Sequence, residues 1–183
     1  MDLGHSMAGV LLGEQNLLID NNTSNWLQMD DIFSSKYSAY ELHFYDFYSH
    51  GDTSVNSVMM SLIDSTGAVK SDSAYYGTRQ YGRSNANGRQ SPASYSGQSR
   101  WYVAMGSYTD FMPTTIMTIH TPFESDRITS YYCTDIGTTS EIYFNHFAGT
   151  YETNASITGF RLFSYDDGEE LMMGTVAVFG LGK

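Results

Sequence analysis

The chain has a single cysteine in 183 residues, Cys133. A lone thiol excludes an internal disulfide framework and any multi-cysteine zinc site. It sits in "ITSYYCTD", a strand-like aromatic run that assigns it a small buried role, and nothing near it in sequence would lower its pKa. Charge is also scarce. Asp, Glu, Lys and Arg make up 16% of the chain, against about a quarter in a typical domain. The 20 acidic and 9 basic residues leave a formal net charge of −11, and no basic run reverses it locally. That balance argues against nonspecific binding to DNA, RNA or anionic membranes. There is no 18-residue apolar span and no secretory h-region, so the expectation is a chain made in a cytoplasm that does not cross a membrane by itself. Helical spacing of apolar residues is hard to find, and no repeat of fixed period points to a propeller or solenoid.

Motif chemistry is equally thin. None of His5, His43, His50, His120 and His146 forms a zinc-binding pair. Within strand-like stretches, His43, His120 and His146 read as sheet-face packing or solvent-facing rings. His50 with Asp46 and Asp52 would suit a cation, but these residues straddle a strand end and a turn that explains them equally well. Asp166, Asp167, Glu169 and Glu170 offer hard oxygen ligands for calcium without the spacing of an EF-hand; a turn around Gly168 accounts for them too. Gly-x-Ser-x-Gly is absent, and "GLGK" at 180–183 has no helix after it to form a phosphate loop. Glu41 and Glu141 are the best available pair for glycoside hydrolysis, which needs carboxylates opposed only in space. The expectation is a protein that is not an enzyme, with no metal and no cofactor.

What is present is sheet chemistry. Aromatics make up 15% of the chain, with 15 Tyr, 10 Phe and 2 Trp, and Ser, Thr, Asn and Gly fill the polar positions. Period-two alternation recurs in "AYELHFYDFYS" (39–49), "VNSVMMSLID" (55–64), "AYYGTRQYGR" (74–83), "RWYVAMG" (100–106), "TTIMTIHT" (114–121), "RITSYYCT" (127–134) and "EIYFNHFAGTY" (141–151). Two further runs, 155–165 and 171–180, complete eight to ten short strands. A chain of this length buries about two-thirds of its unfolded surface, enough for one core. The pattern predicts an all-β, antiparallel β-sandwich, jelly-roll-like, because no helix of length is available to cover a sheet. Residues 1–20 read as an N-terminal arm or first strand. Residues 21–183 read as a single sandwich domain with a long surface loop at 84–99, "SNANGRQSPASYSGQS".

Two stretches are candidates for contact with partners. The loop and its flanks carry Tyr76, Arg79, Tyr81, Arg83, Arg89, Tyr95, Arg100 and Trp101, residue types enriched at interfaces and able to stack on sugars. They serve a subunit contact or a glycan, or the aromatic flanks simply pack the core. Val10, Leu11 and Leu12 belong to an apolar segment, 7–19, that either lies on a neighbouring subunit or joins its own sheet. Ten methionines, Met59-Met60 and Met172-Met173 among them, fill a core or adapt to varied partners.

The stretch "ITGFRLFSYDDGEELMMGTVAVFGL" (157–181) reads as two strands around an acidic turn, a terminal hairpin. Ile157, Phe160, Arg161, Leu162, Phe163, Gly168, Gly174, Thr175, Val176, Val178, Phe179 and Gly180 make it resemble the ending of small virion structural proteins of tailed double-stranded DNA phages. The run 40–67, "YELHFYDFYSHGDTSVNSVMMSLIDSTG", and "SDSAYYGTRQ" also resemble that family's first half. The resemblance implies a jelly-roll-like capsid decoration (cement) protein stabilising the head shell through subunit contacts. It implies the major capsid protein or other virion subunits as partners, a homotrimer, and a place in the virion after assembly in the host cytoplasm. Direct binding to nucleic acid or membrane is not expected. The alternative is a tail-tip or fibre receptor-binding module recognising a host surface glycan; a free carbohydrate-binding or hydrolytic sandwich comes third.

Overall fold

Pleated backbone sends successive side chains to opposite faces; burial alternates accordingly over Thr114–His120, whereas Ser57–Ile63 is buried on both faces. In the computed structural model, which describes residues 9–18, 26–49, 57–83, 91–105, 114–138, 142–164 and 171–182, the regular elements are all strands. In chain order they are β1 (Val10–Leu18), β2 (Trp26–Met29), β3 (Ala39–Ser49), β4 (Ser57–Asp64), β5 (Tyr75–Arg83) and β6 (Ser91–Gln98). They continue with β7 (Trp101–Met105), β8 (Thr114–His120), β9 (Thr129–Thr138), β10 (Ile142–Tyr151), β11 (Ile157–Ser164) and β12 (Leu171–Leu181).

The strands form two antiparallel sheets packed as a sandwich. The larger has the order β1-β12-β3-β8-β9-β10-β5-β6, and the smaller β2-β11-β4-β7. The pairings β1 with β12, β2 with β11, β3 with β8 and β4 with β7 describe one long antiparallel ribbon folded over on itself. Outside that ribbon, the hairpins β5–β6 and β9–β10 widen the larger sheet beyond β8.

Between the sheets lies a mixed aliphatic and aromatic core. Tyr40, Leu42, Phe44, Met117, Cys133, Phe147, Val176 and Val178 point inward from the larger sheet, and Leu27, Met60, Leu62, Phe160, Leu162 and Val103 from the smaller. Each full burial of a Leu, Phe, Met or Val side chain contributes about 1.5–3 kcal/mol. Phe33 and Tyr37, from the connection between β2 and β3, pack on Tyr40 with ring centroids 4.7 and 5.9 Å away.

Two expectations from the sequence change here, and the choice between N-terminal arm and first strand is resolved. Residues 91–98, read as part of a long loop, are strand β6, paired with β5 along Tyr75–Tyr81. Val10–Leu18 is a strand of the chain's own larger sheet, in register with β12, and so is not a detached arm. Most consequentially, β11 and β12 are not a hairpin: β11 lies between β2 and β4 in one sheet, β12 between β1 and β3 in the other. Both strands bury an apolar face, Phe160 with Leu162 and Val176 with Val178. In a sandwich, two such faces are satisfied across the core as well as side by side.

Candidate interaction surface

Alternation divides the aromatic and arginine cluster singled out in the sequence. On β5, Tyr76 takes the outer face of the larger sheet. Arg79 and Tyr81 take the inner one, opposite buried Phe147 and Asn145 in register. The Arg79 guanidinium sits 5.3 Å from the centre of the Tyr81 ring. Arg83 ends β5 opposite Tyr143, and Arg89 lies outside the described residues, as do His50, Glu141 and the acidic turn 165–170.

Trp101 is not a surface residue. Its side chain is 2% exposed, its ring lies 4.5 Å from Tyr131 and 5.5 Å from Tyr75, and its indole N–H donates to the Thr150 carbonyl at 3.0 Å. Tyr95 stacks on Tyr102 at 4.5 Å, joining β6 to β7. Arg100 places its guanidinium 4.4 Å from the Phe163 ring. These residues tie the sheets together, so the proposed cluster does not converge on one outward surface. Val10 and Leu11 are exposed on β1, whereas Leu12 packs against the core.

Buried polar chemistry lies on the inner face of the larger sheet. Asp135 is fully buried and accepts hydrogen bonds from the Thr115 hydroxyl and the Asn145 amide, both at 2.9 Å. One row away, Cys133 donates its thiol hydrogen to the Val103 carbonyl at 3.0 Å. Burial, helped by the neighbouring Asp135 charge, pushes the Cys133 thiol well above its ordinary pKa. That is the opposite of the shift a nucleophilic cysteine needs. Among the described residues no group of three His, Cys, Asp or Glu is placed to hold a metal ion.

The outer face of the larger sheet is different. Tyr45, Ile116, Tyr132, Ile136 and Phe144 are all exposed there, on the adjacent strands β3, β8, β9 and β10. Ile136 and Phe144 are direct cross-strand partners. Beside them on β3, His43 is hydrogen-bonded at Nε2 to Glu41 at 2.6 Å and at Nδ1 to the Tyr45 hydroxyl at 2.8 Å.

Farther along the same face, β9, β10, β5 and β6 enclose a groove of about 630 Å³ lined by residues including Thr78, Gln80, Pro92, Ser94, Tyr132, His146 and Ala148. Tyr132 and His146 stack with interplanar angle 17° and centroids 6.1 Å apart, and Phe144 meets His146 edge-on at 5.2 Å. The Phe144 ring leans over Gly82, where a Cβ would come within 2.7 Å of it. Sequence reading placed His146 on a sheet face but could not supply its neighbour across the strands, Gln80. The composition of β6, low in apolar residues, hid the far wall.

Compared with known proteins, the chain is matched by no family model, no curated sequence and no solved structure.

Proposed function

We propose that the chain is a non-enzymatic structural component of a tailed-phage virion, a decoration protein that stabilises the head shell through contacts with the major capsid protein. Copies associate as a homotrimer at three-fold and quasi-three-fold positions. Support comes first from the resemblance of the strands at 40–67 and 157–181 to small phage virion proteins. The all-β sandwich supports it: pairing of β1 with β12, β2 with β11, β3 with β8 and β4 with β7 is compatible with a jelly roll, an architecture used in viral capsids.

The observation that carries the reading is a group of large exposed side chains on the outer face of the larger sheet. An antiparallel sheet facing water ordinarily turns polar side chains outward. Five large exposed side chains on four neighbouring strands, Tyr45, Ile116, Tyr132, Ile136 and Phe144, break that pattern. Ile136 and Phe144 are direct cross-strand partners, and exposed apolar side chains grouped on one sheet face suit contact with a partner.

The test is cosedimentation of the purified protein with emptied, expanded heads. Ile136→Lys, at an exposed position, is expected to weaken binding at least about tenfold, ~1.4 kcal/mol, with thermal stability unchanged. Immunolabelling confined to the tail would sink the proposal.

A further inference from the structure

Four strands build the groove on the outer face, and their residue types point to a ligand. On one side stand the stacked rings of Tyr132 and His146, the latter held by the Thr134 hydroxyl 3.2 Å from its Nδ1. On the other, β6 contributes Pro92 and Ser94. Ala148 and Thr78, direct partners in the register of β10 and β5, form a low floor between the walls. Gln80 adds an amide beside His146.

We propose that this groove binds a short neutral oligosaccharide. A sugar ring offers an apolar face of C–H bonds and a rim of hydroxyls. The groove offers aromatic faces for the first and hydroxyl, amide and imidazole groups for the second. Its volume of about 630 Å³ falls within the range of small-molecule sites. Wall to wall it spans four strands, about 14 Å at the usual strand spacing, which leaves room for more than one sugar ring. Among its described lining residues the one carrying a full charge is Arg79, and Arg79 alternates with Thr78 and Gln80 to the opposite face of the sheet. With a formal net charge of −11 on the whole chain, acidic saccharides are repelled on approach. The two strands that form the floor, β10 and β5, are already paired on both edges, so an extended peptide lying on the floor gains no new main-chain ladder.

This inference does not depend on the head-shell reading. Isothermal titration of the full chain with cellohexaose, maltohexaose and chitohexaose, with a hyaluronan hexasaccharide as the acidic comparison, tests it. At least one neutral hexasaccharide is expected to bind, and Tyr132→Ala to weaken it at least about tenfold. Ala148→Phe fills the floor from an exposed strand position that tolerates a large aromatic, and is expected to abolish binding with the fold intact. Ile136→Lys, outside the groove lining, is expected to leave it unchanged. The proposal is overturned if no neutral hexasaccharide binds at concentrations up to about 10 mM. Binding that survives Ala148→Phe, or a preference for hyaluronan, also overturns it.

Discussion

The Tyr75 hydroxyl accepts the buried backbone N–H of Leu62 at 2.9 Å. It also donates to the Lys70 carbonyl at 3.0 Å, so one phenol pins the β4–β5 connection to β4 from within the core. Burial raises the Tyr75 pKa far above that of a free tyrosine, and the hydroxyl stays protonated and donating. Tyr75→Phe keeps the ring packing against Tyr151 and Trp101 but leaves the Leu62 amide with no acceptor. The expected loss is about 1–3 kcal/mol. Thermal denaturation would show it as a fall in Tm of ~2–4 °C per kcal/mol for a chain of this size.

Asp64 organises the same connection from outside. Its Oδ1 accepts the Thr66 hydroxyl at 2.6 Å and the backbone N–H groups of Thr66 and Ala68 at 2.9 and 3.2 Å, while Oδ2 lies 3.3 Å from Lys70 Nζ. These contacts, the Thr66 hydroxyl foremost, hold the carboxyl down to a pKa of about 2. The folded value is below the unfolded one of about 3.9. The stabilisation is therefore complete above pH ~4 and is lost as pH falls through about 2. Asp64→Asn is expected to cost about 1 kcal/mol at neutral pH. Denaturant titrations at several pH values should show the gap between the variant and the parent closing between about pH 4 and pH 2.

For Trp101 the expected effect is on folding, not recognition. The indole fills the core between Tyr75 and Tyr131, so Trp101→Ala should destabilise the chain by about 3–5 kcal/mol through the cavity it leaves. Urea unfolding measures this directly. If the variant kept parental stability, its place in the core would be wrong.

Cys133 provides a probe of global opening. Enclosed between the sheets and shifted toward the protonated form, it should react with a thiol reagent only when the protein unfolds. Labelling by an aromatic disulfide is expected to be complete in denaturant. In native buffer it should proceed at the rate allowed by rare opening. Fast native labelling would contradict the burial.

Much of the sheet content is legible in the sequence because alternation is a local signal. The run 39–49 reads as a strand with the bounds that β3 has. Gly67 is readable as a turn position and has φ of +81°. Strand β6 is not legible: "SPASYSGQ" has little intrinsic strand preference and includes Pro92. It forms because β5 offers a paired edge, and an outermost strand tolerates a proline. Nor does the sequence disclose that β11 and β12 belong to different sheets. Two apolar strands around a turn look like a hairpin, and the decision rests on partners such as Met29 and Leu62 for Phe160. The groove is hidden for the same reason. His146 and Gln80 become neighbours only through pairing of β10 with β5.

The rolled ribbon also governs the order in which the chain can fold during synthesis. Among the described strands, β1 pairs with β12 alone, and β2 with β11 alone. Val10 waits for Gly180, and Trp26 for Phe163. Until those strands leave the ribosome, the first two have no edge of their own to join. The hairpins β5–β6 and β9–β10 can close early from local contacts, while sandwich closure is late and slow, as for other folds dominated by distant pairings. Chaperone dependence of the nascent chain should therefore concentrate on β1 and β2, the strands that wait longest.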